Sequence, residues 1–268
     1  MRAPILLEIC ADSVESALAA EQGGAHRVEL CGSLLEGGVT PSSGLISAVR
    51  SRIGIELYVM VRPRGGDFCY GAEEFETMEQ DVLTAKKLGA NGIVFGILEE
   101  DGSVDVPRTR HLVELARPLK TTFHRAFDMS CDLQKSLEEV IVSGAARVLT
   151  SGGEQQVEDG TRALARLVLE ARERIAVMAG GGITEANVHR ILEDTGVREI
   201  HASVRVHAPS PMRYRNEKVS MGIAKGREYQ RILVRPEQVR RLLENALNGA
   251  LNGAPNRRRT GRASLRTL

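Results

Sequence analysis

Aromatic residues are scarce in this sequence, and tryptophan is absent. Phe, Tyr and Trp together make up 3% of the chain, whereas apolar residues as a whole make up 42%. A hydrophobic core built from this chain must therefore be aliphatic. Proteins that bind single-stranded nucleic acid stack its bases on aromatic side chains set among basic ones. We see no such pattern, and we expect no nucleic-acid partner.

Long apolar runs and an excess of charge of one sign are also missing. No stretch is long enough to cross a bilayer as a helix. The first apolar run, in "MRAPILLEICADS", is short and is broken by Glu8, which argues against a secretory signal peptide. The formal net charge is +1, so the molecule as a whole has no electrostatic attraction to nucleic acid or to anionic membranes. We therefore expect a cytoplasmic protein with no membrane partner.

Cysteine is sparse, and its spacing fits no disulfide framework. The four cysteines are Cys10, Cys31, Cys69 and Cys131, and no two of them form a C-x-x-C pair. Dense disulfide frameworks belong to short secreted chains. We therefore predict reduced thiols, as in the cytosol, and we assign no role to Cys69 and Cys131.

What the sequence does contain is a regular alternation of short apolar runs with longer amphipathic segments. Glycines such as Gly144 and Gly196 stand where the helical segments should end. Alternating strands and helices predict a parallel sheet, and eight such units predict a closed (β/α)8 barrel, or TIM barrel. The alternative, an open doubly wound sheet, lacks support because no G-x-G-x-x-G follows the first strand. The eight predicted strands are "ILLEIC", "RVELC", "IELYVMVRP", "GIVFGIL", "KTTFHRA", "RVLTSG", "IAVMAGG" and "REIHASV".

The composition changes near the C-terminus. Residues 249–268 are rich in Asn, Gly, Arg and Ser and show no apolar periodicity. We predict a single barrel domain over residues 1–248, followed by a disordered basic tail. A solvated end explains this tail better than a contact with an acidic partner does.

Polar residues stand in or directly after several of the predicted core strands. In a TIM barrel the functional site lies at the carboxyl ends of the strands, and alternation shows which side chains share a face. On this basis Glu8 and Cys10 share a face, and so do Glu29 and Cys31, which gives neighbouring strands the same E-x-C pattern. Because burying an unpaired charge is costly, these residues form either a self-satisfied ionic layer that plugs the barrel or a ligand site.

One interpretation of this set is an anion site in an enzyme for a small phosphorylated or carboxylated metabolite. Barrels often hold a phosphate on the loops after strands seven and eight, where "MAGGGI" and the eighth strand fall. Glu8 or Glu29 is then the general base and His124 the acid. Arg125 and Asp128 order the loop above His124 as an ion pair. The residues assigned to binding are Arg62, Arg64, Arg125, Asp128, Thr150, Gly181, Gly182, His201 and Ser203.

A second interpretation is a soft-metal site. Cys10 and Cys31 occupy equivalent places on neighbouring strands, which lie roughly 5 Å apart. Two thiolates, with Met60 or Met178 near by, suit Cu(I). The competing explanation is that both cysteines are small core residues, and the arginines of the same region would repel a cation.

The same strings resemble the CutC family of cytosolic barrel proteins, which is named for copper homeostasis. "ADSVESALAAEQGGAHRVELCGSLLEGGVTPSSGLI", "VMVRPRGGDFCY", "TFHRAFD" and "LTSGG" carry this resemblance, which covers residues from about 5 to 204. It implies a TIM barrel, copper tolerance or Cu(I) binding at Cys10 and Cys31, and a homodimer or larger homo-oligomer. The enzyme and a non-catalytic scaffold remain alternatives. The family's polar pocket corresponds here to Glu8, Glu29, Arg62, His124, Arg125, Asp128, His201 and Ser203.

Overall fold

Eight parallel strands form a closed barrel, so the predicted fold is confirmed. The structure is a computed structural model that describes residues 4–221 and 227–252. Each strand pairs with its sequence neighbour, and β8 pairs with β1 to close the ring, with Glu8 opposite His201. The eight predicted strands all form. They are β1 (Leu6–Ala11), β2 (Arg27–Leu30), β3 (Glu56–Met60), β4 (Gly92–Phe95), β5 (Lys120–Phe123), β6 (Arg147–Thr150), β7 (Ala176–Ala179) and β8 (Glu199–Ala202).

Helices connect the strands on the outside of the barrel. Their ends follow local chemistry: Asp132 caps the start of α5 by accepting hydrogen bonds from two backbone N–H groups, and Gly144 ends the helix in the left-handed region. Gly196 ends α7 in the same way. The helices are α1 (Val14–Gln22), α2 (Ser43–Arg50), α3 (Ala72–Lys87), α4 (Val106–Ala116), α5 (Leu133–Ser143), α6 (Thr161–Ala171), α7 (Val188–Thr195) and α8 (Pro236–Asn252).

The connection between β8 and α8 contains a small antiparallel sheet that the sequence analysis did not anticipate. Its strands are β9 (Arg205–Pro209) and β10 (Gln230–Val234). Most of its side chains are partly exposed, so it lacks the apolar runs that identified the barrel strands. Helix α8 then returns to pack against α7 and α1, with Val239 and Leu242 fully buried.

Helix α8 runs past residue 248, where the domain boundary was expected. The predicted disordered tail began at residue 249, and its residues 253–268 lie outside the described residues. Among the described residues, no helix is long and apolar enough to cross a membrane.

The core is mainly aliphatic, as the composition predicts, although Phe95, Phe123 and Phe127 are fully buried in it. Alternation along the strands divides it into two clusters. Leu7 and Ile9 belong to the large core between the barrel and the helices. Cys10, Cys31 and Met60 belong to a separate small cluster that also contains Tyr58 and Val94. Successive side chains of a strand point to opposite faces, so this second cluster lies inside the barrel.

Candidate functional site

An ionic layer fills part of the barrel interior below the small cluster. Arg27 pairs with Glu8 and, through a 2.8 Å contact, with Glu199. Arg147 pairs with the same Glu199 and donates to Thr122 Oγ1. The guanidinium of Arg27 lies 4.6 Å from the ring centroid of Tyr58. Most barrels fill this region with branched aliphatic side chains, so a layer of buried charged residues is unusual here.

The residues of this layer that were not predicted from the sequence are Arg27, Arg147 and Glu199. Alternation could have found two of them, because Arg27 stands two residues before Glu29 and Glu199 stands two residues before His201. Each pair therefore shares the inner face of its strand.

Glu8 and His201 form a charged pair at the top of this layer. His201 Nδ1 lies 2.7 Å from Glu8 Oε1. Burial by itself raises the pKa of Glu8, but the charge of Arg27 and the hydrogen bond with His201 outweigh it and lower the pKa to about 2. Burial lowers the pKa of His201, but the neighbouring Glu29, Cys10 and Glu8 raise it well above its usual range. The pair is therefore a carboxylate and an imidazolium at neutral pH.

Cys10 and Cys31 face each other directly above this pair. Their Sγ atoms lie 3.9 Å apart, and both side chains are buried. The hydrogen bond from Cys31 lowers the pKa of Cys10 to about 5, against the opposing effect of burial. The same hydrogen bond, together with burial, raises the pKa of Cys31. The pair therefore holds one thiolate and one thiol at neutral pH.

Glu29 completes the group at the carboxyl end of β2. Its Oε2 atom lies 3.5 Å from Cys31 Sγ and 3.8 Å from His201 Nε2. Burial raises the pKa of this carboxyl well above its usual range. One atom each from Cys10, Cys31 and Glu29 lies within 4.8 Å of the others, which is close enough for one metal ion. Of the two methionines considered as ligands, Met60 packs in this cluster, whereas the sulfur of Met178 accepts from Arg27 in the ionic layer.

A cavity of about 130 Å³ opens beside this group at the carboxyl ends of the strands. A larger groove of about 540 Å³ lies at the opposite end of the barrel, around the starts of β7 and β8. The functional sites of TIM barrels lie at the carboxyl ends of the strands, so we place the site at the smaller cavity. The residues that line it are Cys10, Glu29, Gly37, Met60, Arg62, Phe68, His124, Arg125, Ala126, Leu149 and His201.

His124 reaches the cavity as a neutral imidazole. Its Nδ1 accepts a hydrogen bond from the backbone N–H of Ala126, and its ring centroid lies 5.0 Å from that of Phe68. Burial, and then the positive charge of Arg62, lower the pKa of His124 to about 3. Because Nδ1 accepts, the neutral ring carries its hydrogen on Nε2 and is a hydrogen-bond donor there, not a charged acid.

Arg62 and Arg64 have different places. The guanidinium of Arg62 donates to the backbone oxygens of Glu36, Gly38 and Gly66, and it ties together the loops after β2 and β3 beside the cavity. Arg64 instead pairs with Glu74 on α3 and does not line the cavity.

The segment Arg125–Met129 forms a short 3-10 helix that braces the neighbouring loop. The predicted ion pair between Arg125 and Asp128 forms, with Nε 2.7 Å from Oδ2. Asp128 also accepts from the hydroxyls of Thr150 and Ser151 and from the backbone N–H of Gly153. Asp128 and Thr150 therefore hold the loop after β6 and do not line the cavity.

Replacing Asp128 with Asn should destabilise the protein by about 2 kcal/mol, because the buried donors around it lose a charged acceptor. Urea unfolding measures this loss. Asp101→Asn is the matched control, since Asp101 accepts hydrogen bonds from Ser103 in an exposed loop and should cost under about 0.5 kcal/mol. Equal losses for the two variants would contradict the bracing role.

The glycine-rich turn after β7 packs against the loop after β6 rather than against the cavity. A Cβ atom added at Gly182 would lie 1.8 Å from Gln156 Oε1, and one added at Gly181 would lie 3.2 Å from Arg125 Cζ. Ser203 is exposed and is also absent from the cavity lining. The structure thus brings Glu29, His124 and His201 together with Cys10, Arg62 and Arg125 around the cavity. The other residues assigned to binding do not line it: Arg64, Asp128, Thr150, Gly181, Gly182 and Ser203.

Comparisons with known proteins agree on one family. The CutC family model matches residues 5–206. The mouse copper homeostasis protein cutC homolog is 50% identical over 217 residues, which cover 81% of this chain and 80% of the mouse protein. A family protein CutC from Chromobacterium violaceum is 46% identical over 239 residues, which cover 89% of this chain and 97% of the bacterial one.

Solved structures agree as well. The crystal structure of a CutC protein from Streptococcus agalactiae superposes with a TM-score of 0.70 at 35% identity and covers 74% of this chain and 97% of that one. Phosphoribosylanthranilate isomerase from Pyrococcus furiosus, at 14% identity and a TM-score of 0.54, shares the barrel fold alone. On the family match and these identities, the chain belongs to the CutC family.

Proposed function

We propose that this protein binds Cu(I) through Cys10 and Cys31 at the mouth of its barrel and takes part in copper homeostasis in the cytoplasm. The observation that carries the proposal is the pair of buried sulfur atoms 3.9 Å apart. A metal–sulfur bond is about 2.3 Å long, as for zinc, so one ion reaches both sulfurs with an angle of roughly 115° between the two bonds. The names of the mouse and human relatives refer to copper homeostasis.

The chemistry of the surrounding groups fits a soft monovalent cation. Thiolate sulfur selects Cu(I), and Met60 packs in the same cluster as a further soft donor. Two arginines of this region were expected to repel a cation. The charge of Arg125 is paired with Asp128, and the guanidinium of Arg62 is held by three backbone carbonyl oxygens. Glu8 and Cys10 are negatively charged at neutral pH, and they attract a cation to this region.

The alternative enzyme for a phosphorylated metabolite finds less support. Its phosphate-binding residues were Gly181, Gly182 and Ser203, and none of them lines the cavity. Arg64 lies away from the cavity and is paired with Glu74. Of the other donors in that interpretation, Arg62, His124 and Arg125 line the cavity, but without the loops after β7 and β8 the usual phosphate site of a barrel is missing from the lining.

Titration of the purified, reduced full-length protein with Cu(I) against a competing chelator tests the proposal. We expect one Cu(I) per chain, and an affinity at least about 100-fold lower in Cys10→Ala/Cys31→Ala, because removing a metal's outer-shell partners already costs 10–100-fold. The matched control is Cys69→Ala/Cys131→Ala, which removes two thiols outside the site and should bind as the wild type does.

Weak and equal binding by the wild type and the Cys10→Ala/Cys31→Ala variant would overturn the proposal. The two cysteines would then be small core residues. Circular dichroism of both double variants confirms that each is folded. The expected homodimer or larger homo-oligomer stays a prediction, which sedimentation velocity of the same samples checks.

A further inference from the structure

Three buried polar atoms around the cavity have no hydrogen-bond partner in the described part of the chain. They are His124 Nε2, Glu29 Oε1 and Arg62 Nε, and all three residues line the cavity. An unsatisfied buried polar atom costs about 1–3 kcal/mol, and such atoms are few in native proteins. They come from separate parts of the barrel, on or directly after β2, β3 and β5, so no single local distortion explains them. That all three belong to residues lining one cavity points to a ligand that supplies the missing partners.

The hydrogen-bonding roles of these groups define the ligand that they fit. The lone pair of His124 Nδ1 is used by the backbone N–H of Ala126, so the neutral ring carries its hydrogen on Nε2 and donates there. Arg62 Nε is always a donor. Glu29 Oε1 is a carboxyl oxygen, which pairs with a group that can both donate and accept. The cavity therefore offers two donors beside one carboxyl oxygen, which matches a carboxylate next to a hydroxyl group.

Size and polarity narrow the ligand further. A 150 Å³ protein cavity holds benzene, so a cavity of about 130 Å³ holds about six non-hydrogen atoms. Phe68, Leu149 and Ala126 supply an apolar wall for a short alkyl group. Arg125 is paired with Asp128, whereas Arg62 has no carboxylate partner among the described residues and gives the lining a positive charge that favours an anion. Gly37 and the half-exposed Arg125 stand at the rim, where a small molecule can enter.

We propose that this cavity binds a short 2-hydroxy monocarboxylate, such as lactate or glycolate. The carboxylate accepts hydrogen bonds from His124 Nε2 and Arg62 Nε, and the hydroxyl forms a hydrogen bond with Glu29 Oε1. The short alkyl group lies against Phe68 and Leu149. This ligand satisfies all three unpartnered atoms at once, and its binding does not depend on copper.

Titration of L-lactate into the reduced, copper-free full-length protein, followed by ligand-observed NMR, tests this proposal. We expect a Kd of about 1 mM or lower, which is within reach of a six-atom ligand. Lactamide is the matched probe, since it has the same shape without the charge, and it should bind at least tenfold more weakly. His124→Phe keeps the ring and removes the donor, so it should also lose at least tenfold, and His124→Gln should recover part of the loss.

The control variant is Arg64→Met, which removes a positive charge from the loop after β3 without touching the cavity lining, and it should bind lactate as the wild type does. Equal lactate affinity in the wild type and His124→Phe would overturn the proposal, and so would lactamide binding as tightly as lactate or no binding at about 10 mM. Cu(I) titration of His124→Phe separates the two proposals. Retained Cu(I) binding in a variant that has lost lactate confirms that the cavity acts independently of the cysteine pair.

Discussion

Replacing Arg27 with Met is expected to destabilise the protein by about 3–5 kcal/mol, the range for breaking a buried ion pair from one side. The side chain of Arg27 is 3% exposed, and its guanidinium is shared between Glu8 and Glu199. Met fills a similar volume, but it leaves the buried carboxylates of Glu8 and Glu199 without the positive charge of Arg27. Against a total stability of about 5–15 kcal/mol for a typical domain, this loss is severe.

Urea unfolding of the full-length protein at pH 7 measures this effect. Arg64→Met is the matched control, because it makes the same chemical change in the partly exposed pair between Arg64 and Glu74. Exposed pairs contribute at most about 1 kcal/mol. Similar losses for the two variants would show that the ionic layer does not hold the barrel together.

Acidification is expected to weaken the fold through Glu8. The pKa of this carboxyl is about 2 in the folded protein, against an ordinary value of 4.5, so the unfolded chain takes up the proton first as the pH falls. The stabilisation from Glu8 is therefore present above about pH 4.5 and is lost as the pH falls toward 2. It amounts to about 3 kcal/mol at pH 6, of which about 2 kcal/mol is lost by pH 3.

The opposite sign applies to His201. Its pKa is raised in the folded state, so its contribution is present below its ordinary value of 6.5 and is lost as the pH rises through the raised value. Between pH 6 and pH 3 His201 stays charged in both states, and Glu8 alone of the pair changes.

Urea unfolding of the wild type and Glu8→Gln at pH 6 and pH 3 checks this prediction. The stability gap between the two proteins should be about 3 kcal/mol at pH 6 and should shrink to about 1 kcal/mol at pH 3. Glu76→Gln, which removes a carboxylate from the exposed face of α3, is the charge-matched control. A gap of the same size at both pH values would contradict the assigned pKa shift.

The sequence was sufficient for the barrel because eight buried strands leave apolar runs that no competing fold explains as well. It was also sufficient to place Cys10 and Cys31 together, since the E-x-C pattern repeats on adjacent parallel strands. The alternation of β1 and β8 put Glu8 and His201 on inner faces, and closure of the ring brought them into contact.

The polar loops were less predictable, because a side chain in a loop has no fixed period. Arg62 and Arg64 stand two residues apart in the sequence, yet one lies beside the cavity and the other pairs with α3. The glycine-rich turn after β7 resembled a phosphate loop, but the side chain of Gln156 occupies the space beside it. Such placements depend on tertiary packing between loops that are distant in the sequence.

Closure of the ring by β8 also sets the order in which the site is assembled during synthesis. The two cysteines are 21 residues apart, whereas Glu8 and His201 are 193 residues apart. A ribosome adds about 5–20 residues per second, so the thiols leave it roughly 10–30 s before the imidazole does. Throughout that interval the nascent chain presents two nearby thiols without the last strand that encloses them. A chain that stalls before β8 would therefore leave both thiols open to oxidation or metal capture, which the closed barrel limits by burying them.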